Sequence, residues 1–132
     1  MTLSIDEPVG DEVELYRRVL PELGLGLVED KNRDRVRLSS AVFAPQEMSV
    51  LIEDALREDG RVPLDALANF PDDFLIAITV LVARSQSQTV VRSPTEVEPA
   101  HGDVIGKKTR GRRREMARRA RWVKEPVDLC VD

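Results

Sequence analysis

The chain has 132 residues, a net charge of −4 and 42% hydrophobic residues, which is typical of one globular domain with its own core. Its single cysteine, Cys130, excludes an intramolecular disulfide, and aromatic residues make up only 4%, so we expect a core of Val, Leu, Ile and Ala. The acidic start lacks the apolar region of a secretory signal, and no apolar run is long enough to span a bilayer, so we expect a cytoplasmic protein.

The first half of the chain predicts two strands and two helical segments. Apolar and polar residues alternate over residues 12–19, which indicates a strand. A polar turn at residues 30–34 is followed by a second predicted strand, Arg35–Leu38. Ser49 is interpreted as the cap of a helix that runs to about Asp59 before Gly60, and residues 64–70 as a further turn or two of helix.

The second half predicts two or three further strands and one long helix. Phe74–Arg84 is dense in Ile, Val and Leu, which favours a buried strand, although a helix starting at Asp72-Asp73 is the open alternative. Thr89–Arg92 and Asp103–Ile105 are predicted strands. Thr109 precedes a predicted helix that runs to about Lys124.

Together these elements predict an α+β fold. We expect a small, mostly antiparallel sheet of four or five short strands with two or three helices, the last one basic and amphipathic. The domain is expected to occupy residues 12–126, between a flexible arm at residues 1–11 and a C-terminal tail at residues 127–132.

Positive charge is concentrated near the end of the chain. Residues 107–124 hold 10 of the 20 Lys and Arg residues and one acid, whereas the remaining residues hold 10 bases and 23 acids. Such a segment attracts phosphates or acidic surfaces. We therefore expect a binding module that contacts an acidic protein partner or nucleic acid, with these candidate binding residues: Lys107, Lys108, Arg110, Arg114, Arg118 and Arg121.

The spacing within this helix predicts one face against the body of the domain. Met116, Ala120 and Val123 are expected to be buried, and Arg114, Arg118 and Arg121 to be exposed. The alternative to a binding surface is a solvated helix whose arginines pair with the domain's own carboxylates.

The sequence predicts neither a metal site nor a bound cofactor. Asp30-x-Asn32-x-Asp34 has the first ligand positions of a calcium loop, but Arg35 replaces the required glycine and Ala41 the final glutamate. His101 is the only histidine, so a zinc site lacks ligands. Gly106-Lys107-Lys108-Thr109 fails the spacing of a phosphate-binding loop, and Thr109 is interpreted as a helix cap.

Several short pieces, spread from about residue 12 to residue 126, resemble an uncharacterised family of small bacterial proteins. The pieces are Leu15-Tyr16-Arg17-Arg18, Arg37-Leu38-Ser39-Ser40-Ala41-Val42-Phe43, Met48-Ser49-Val50, Pro99-Ala100-His101, Gly106-Lys107-Lys108-Thr109 and Ala120-Arg121-Trp122-Val123. No activity is attached to this family, so the resemblance implies organisation and no function.

A second resemblance concerns enzymes. Arg17 or Arg18 on the first strand, followed by Ser39-Ser40, is similar to the early motifs of ADP-ribosyltransferases. In that family the Arg meets the phosphates of nicotinamide dinucleotide and the Ser supports the ribose pocket. With His101, these residues are the candidate catalytic group.

The chain departs from those enzymes at the late catalytic glutamate. The candidates Glu96 and Glu98 fall in a proline-flanked loop rather than on a strand. An ADP-ribosyltransferase-like enzyme or a nicotinamide-dinucleotide-binding domain is therefore the alternative to the binding module. A concave pocket near Arg17, Ser39-Ser40 and His101 would favour this alternative, and a convex surface would favour the module.

Overall fold

The computed structural model describes residues 8–22, 25–30 and 35–126. Most of the predicted arm, the greater part of the predicted polar turn with its calcium-like motif, and the predicted tail lie outside the described residues, at 1–7, 31–34 and 127–132.

The described residues form an α+β fold with eight strands, three short α-helices and two 3-10 helices. The strands are β1 (Glu14–Val19), β2 (Leu27–Asp30), β3 (Arg35–Leu38), β4 (Glu47–Ile52), β5 (Phe74–Thr79), β6 (Thr89–Arg92), β7 (His101–Ile105) and β8 (Arg121–Lys124). The α-helices are α1 (Glu53–Glu58), α2 (Val80–Ser85) and α3 (Arg110–Arg119), and the 3-10 helices are η1 (Ser40–Phe43) and η2 (Pro63–Leu67).

Six of the strands form one antiparallel sheet in the order β6-β7-β4-β1-β5-β8, and β2 pairs with β3 in a separate hairpin. The α+β class and the antiparallel sheet are confirmed. The expected four or five strands become six in the main sheet, because β4 and β8 were interpreted as parts of helices.

Both faces of the sheet are covered. Successive side chains of a strand point to opposite faces. Leu15 and Val19 of β1 therefore join the larger hydrophobic cluster, whereas Tyr16 joins the smaller one. The larger cluster includes residues of η1, α2 and α3, and the smaller one includes Leu56 of α1 and Leu67 of η2.

Two predicted elements in the middle of the chain differ from the structure. Ser49 lies inside β4 and caps no helix, and α1 begins only at Glu53, although Gly60 does follow it with a φ of 72°. In the run Phe74–Arg84, the predicted strand is present as β5 up to Thr79, and the alternative helix starting at Asp72-Asp73 is wrong. A helix, α2, begins only at Val80, where the Thr79 hydroxyl caps it by accepting a hydrogen bond from the Val82 amide at 3.2 Å.

The basic helix is shorter than predicted. Thr109 does cap α3, with its hydroxyl accepting from the Arg112 amide at 3.3 Å, but α3 ends at Arg119 and the chain continues as β8. Met116 is fully buried, as predicted, while Ala120 and Val123 are only half-buried. Arg114, Arg118 and Arg121 are exposed. No described helix has the length and apolar character needed to cross a bilayer.

Candidate ligand-binding cavity

The main sheet has a gap between two of its central strands. β1 pairs with β5 along its whole length, and β4 pairs with β7 from Glu47 to Leu51. Between β1 and β4, however, only Leu15 pairs with Ile52 and Tyr16 with Leu51. The two strands therefore separate beyond Tyr16 and Leu51, and a cavity lies where they part.

The Arg17 side chain bridges this gap. Its Nε donates to the Val42 carbonyl of η1 at 2.7 Å, and its Nη1 donates to the Ser49 carbonyl of β4 at 2.8 Å. These two bonds hold β1 next to β4 where backbone pairing has stopped.

Among the described residues, no carboxylate neutralises the charge of Arg17. Within the described part of the chain, its polar contacts are the two backbone carbonyls, and no carboxylate forms an ion pair with it. Burial, and then the neighbouring charge of Arg18, lower the pKa of Arg17. A guanidinium nevertheless stays protonated in proteins, so the gap contains a partly buried cation that no described carboxylate compensates.

The cavity has a volume of about 590 Å³. This volume falls within the roughly 300–1,000 Å³ of small-molecule sites. Its polar lining residues are Tyr16, Arg17, Arg18, Ser49, Glu98 and His101. Its larger apolar lining residues include Leu20, Leu25, Val50, Leu51, Phe70 and Leu75.

Three exposed apolar side chains mark the open side of the cavity. Leu20, Leu25 and Phe70 are 41%, 54% and 45% exposed, although each lines the cavity. The Arg18 guanidinium lies 3.4 Å from the centroid of the Phe70 ring, and its Nε lies 3.4 Å from Asp73 Oδ2. Unlike Arg17, Arg18 thus has both an aromatic and an acidic partner.

The His101 ring is oriented by the neighbouring strand. Its Nδ1 lies 3.0 Å from the Ser93 carbonyl oxygen and 2.9 Å from Ser93 Oγ. Because a carbonyl only accepts, Nδ1 is the donor in its contact with the Ser93 carbonyl oxygen. Ser93 Oγ in turn donates to Asp103 Oδ2 at 2.7 Å.

Two further titratable groups line the cavity and stay in their usual charge states at neutral pH. Burial, followed by the charges of Glu53 and Glu14, raises the pKa of Tyr16 to about 12. The hydrogen bonds from Arg61 to Glu98 hold the pKa of Glu98 below its usual range. Glu98 is therefore an ionised carboxylate already paired with Arg61.

The structure brings together half of the candidate catalytic group. Arg17 and His101 both line the cavity, as does Glu98 from the proline-flanked loop. Ser39 and Ser40 are not lining residues. Ser39 is buried, and its hydroxyl accepts a hydrogen bond from the Ala41 amide at 3.1 Å, so it caps η1.

Three of the candidate binding residues in the basic segment have partners in the domain itself. Lys108 Nζ lies 2.8 Å from the carbonyls of Gln46 and Val104 and 3.2 Å from that of Gly106, which accounts for all three of its protons. Arg118 forms an ion pair with Glu115, and Arg121 pairs with Glu14.

The other three candidates have no such partners among the residues that the structure describes. The side chains of Lys107, Arg110 and Arg114 are exposed, and the described residues offer them neither a hydrogen bond nor an ion pair. Arg110 and Arg114 are four residues apart on α3, where like charges face each other unfavourably.

Sequence reasoning missed two residues that line the cavity, Ser49 and Phe70, and two in the hydrogen-bonded group behind His101, Ser93 and Asp103. Ser49 was interpreted as a helix cap, and Ser93, Asp103 and Phe70 were not singled out. The spacing of His101 and Asp103 offered a signal, since alternate residues of a strand share a face. Nothing local predicted Ser93, because it reaches His101 from the adjacent chain segment after β6.

No protein-family model matches this chain, and no curated protein or solved structure matches it. Among the described residues, no three histidine, cysteine or carboxylate side chains are grouped so that they could hold a metal ion. The two resemblances noted in the sequence therefore stay predictions.

Proposed function

We propose that the protein binds a small anionic ligand in the cavity between β1 and β4. The observation that carries this proposal is Arg17. A partly buried guanidinium is normally paired with a carboxylate, because an unpaired buried charge is costly. Here both protein partners are neutral carbonyls. An anion in the cavity would supply the missing negative charge.

The hydrogen-bond donors that Arg17 retains support the same conclusion. Charge-assisted hydrogen bonds contribute about 1.5–3 kcal/mol, which is enough to select an anion over a neutral analogue. Five N–H groups belong to a guanidinium. Two of those of Arg17 have partners among the described residues, so donors remain for a ligand.

Nicotinamide dinucleotide is one anionic ligand that this proposal admits, since its phosphates could reach Arg17. The transfer reaction is not part of the proposal. Ser39 is occupied as a helix cap, Glu98 is held by Arg61, and Ser40 and Glu96 do not line the cavity, so the candidate serines and glutamates do not support this step.

A thermal-shift experiment with matched ligand pairs tests the proposal. Each carboxylate or phosphate ligand is compared with its neutral amide or alcohol, and nicotinamide dinucleotide is included. A ligand present at a hundred times its Kd stabilises the native state by about 2.7 kcal/mol. We expect a rise in Tm with charged ligands only.

Arg17→Met is the informative variant, and Arg57→Met is its control, because the Arg57 side chain is 70% exposed and lies outside the cavity. The shift should disappear in Arg17→Met and persist in Arg57→Met, each measured against its own ligand-free Tm. Equal shifts for charged and neutral ligands, or an unchanged shift in Arg17→Met, would refute the proposal.

A second candidate function concerns the basic segment. We propose that Lys107, together with Arg110 and Arg114 of α3, contacts an acidic protein partner or nucleic acid. The specific observation is that these three exposed cations have no partner among the described residues. The ion pairs of Arg118 and Arg121 are exposed and contribute little, so an external anion can compete for them.

A gel-shift titration tests this second proposal. Affinity for nucleic acid should fall steeply as salt increases, because each neutralised phosphate releases counterions. The double variant Arg110→Glu/Arg114→Glu should lose binding, whereas Arg57→Glu/Arg84→Glu, with the same change in net charge elsewhere, should keep it. Equal losses would show that only net charge matters, and no complex at low salt would leave an acidic protein as the partner.

A further inference from the structure

We propose that the ligand of this cavity is an amphiphilic carboxylate, with its carboxylate on Arg17 and its apolar tail against Leu20, Leu25 and Phe70. This inference rests on the proposed anion binding and adds the chemical class of the ligand. Two features of the cavity carry it: the donors that Arg17 retains and the exposed apolar residues around its opening.

The head group follows from the hydrogen bonds of Arg17. Nε has used its single hydrogen on Val42, and Nη1 has used one of its two on Ser49. Among the described residues, nothing accepts the second hydrogen of Nη1 or the hydrogens of Nη2. Hydrogens on both terminal nitrogens form the parallel fork that a carboxylate accepts with its two oxygens.

The charges that line the cavity suit a ligand with one anionic head group. Arg18, the other cation of the cavity, already pairs with Asp73 and stacks on Phe70. Glu98, on the wall, is negative and held by Arg61. A ligand with several anionic groups would meet one uncompensated cation and a fixed carboxylate, so one negative charge fits the wall best.

The tail follows from the exposed apolar surface. Seven large hydrophobic side chains are exposed in the described part of the chain, and three of them line this one cavity: Leu20, Leu25 and Phe70. Exposed apolar residues that cluster at a cavity indicate a binding surface more strongly than scattered ones do. Val50, Leu51 and Leu75 continue the apolar wall inward.

The test is a chain-length series, with butanoate, hexanoate, octanoate and decanoate titrated by calorimetry below the concentrations at which they aggregate. Each methylene that becomes buried contributes about 0.8 kcal/mol, so affinity should rise roughly fourfold per methylene. Octanol and octanamide serve as uncharged partners of octanoate, and octyl phosphate tests whether the head group must be a carboxylate. We expect octanoate to bind more tightly than all three.

The contribution of the tail is isolated by Leu25→Ser, with Leu81→Ser as its matched control. The two leucines are 54% and 51% exposed, but Leu81 lies on α2 and does not line the cavity. We expect octanoate affinity to fall about tenfold in Leu25→Ser and to stay unchanged in Leu81→Ser. Both substitutions are on exposed side chains, so both variants should fold.

The outcomes separate this inference from the proposed function. If the affinity of the carboxylates does not depend on chain length, or if Leu25→Ser binds octanoate normally, the proposed contact of an apolar tail with the cavity is refuted. The proposed binding of an anion then still stands. Tighter binding of octyl phosphate refutes the carboxylate head. If octanol binds as tightly as octanoate, or no anion binds at all, the proposed function itself is refuted.

Discussion

Truncating Met116 is expected to destabilise the protein substantially, because this side chain is the anchor of the basic helix. Met116 is the one residue within α3 that is fully buried, and it belongs to the larger hydrophobic cluster. Met116→Ala removes every side-chain atom beyond Cβ and leaves a cavity under a helix packed on η1 and α2. Such truncations cost about 2–5 kcal/mol.

We expect a loss of about 3 kcal/mol, within the usual range for a fully buried methionine. For a chain of this length, about 1 kcal/mol corresponds to ~4 °C in Tm, so Tm should fall by ~12 °C. Urea denaturation followed by circular dichroism measures the change in the free energy of unfolding. An m-value equal to that of the unsubstituted protein would show that Met116→Ala exposes a similar surface area on unfolding.

Two controls belong to this experiment. Met116→Leu keeps the volume and should cost less than about 1.5 kcal/mol, and Arg114→Ala, exposed on the same helix, should stay within about 0.5 kcal/mol. A loss below about 1 kcal/mol in Met116→Ala, or an equal loss in Arg114→Ala, would show that Met116 does not hold the helix on the core.

Three further outcomes follow from the packing and the ion pairs. Asp54→Asn should cost about 2–4 kcal/mol in urea denaturation, because Asp54 accepts two 2.7 Å hydrogen bonds from the buried Arg92, and a loss below about 1 kcal/mol would refute this. The hydrogen bonds from Arg92 lower the pKa of Asp54, so the stabilisation they give the folded protein is present above the ordinary carboxyl pKa of about 4. This stabilisation is lost as the pH falls through the lower pKa that Asp54 has in the folded state. Asp54→Asn should therefore flatten the loss of stability at acid pH, and an unchanged pH dependence would contradict the linkage. Gly102→Ala should cost about 1–3 kcal/mol of stability, since its Cβ would lie 2.5 Å from Ile52 Cδ1 and 2.9 Å from the Val91 carbonyl oxygen. Adding Ile52→Val should recover part of this loss, and strictly additive losses in the double variant would argue against the contact.

Local patterns predicted several strands well. The alternation at residues 12–19 and the short runs Arg35–Leu38 and Thr89–Arg92 all correspond to strands of the structure. Each has clear punctuation at its ends and β-branched or alternating residues within it. The fold class followed from these elements.

The errors arose where local signals competed. In β4, Met48, Val50 and Ile52 are buried at alternate positions, but Ser49 as a candidate cap and Gly60 as a stop favoured a helix that starts at Ser49. In the run Phe74–Arg84, a buried strand and a buried helix follow one another, and continuous apolar character does not distinguish them. β8 depends on pairing with β5, which is non-local.

The candidate site could be predicted only in part. Arg17 and His101 were singled out from the sequence, and both line the cavity. The cavity itself depends on where β1 and β4 stop pairing, and no local pattern specifies this separation. The role of Ser39 depends on its hydrogen bond to Ala41, which is set by the start of η1.

The most direct test of the central claim is a measurement on Arg17 itself. The Nε–H of Arg17 donates to the Val42 carbonyl at 2.7 Å, which should protect it from exchange and make its signal observable in ¹⁵N NMR. During a titration with octanoate, the Arg17 Nε signal should shift, and its curve should give the same Kd as calorimetry. A saturating titration in which calorimetry detects binding while the Arg17 signal stays unchanged would contradict the account.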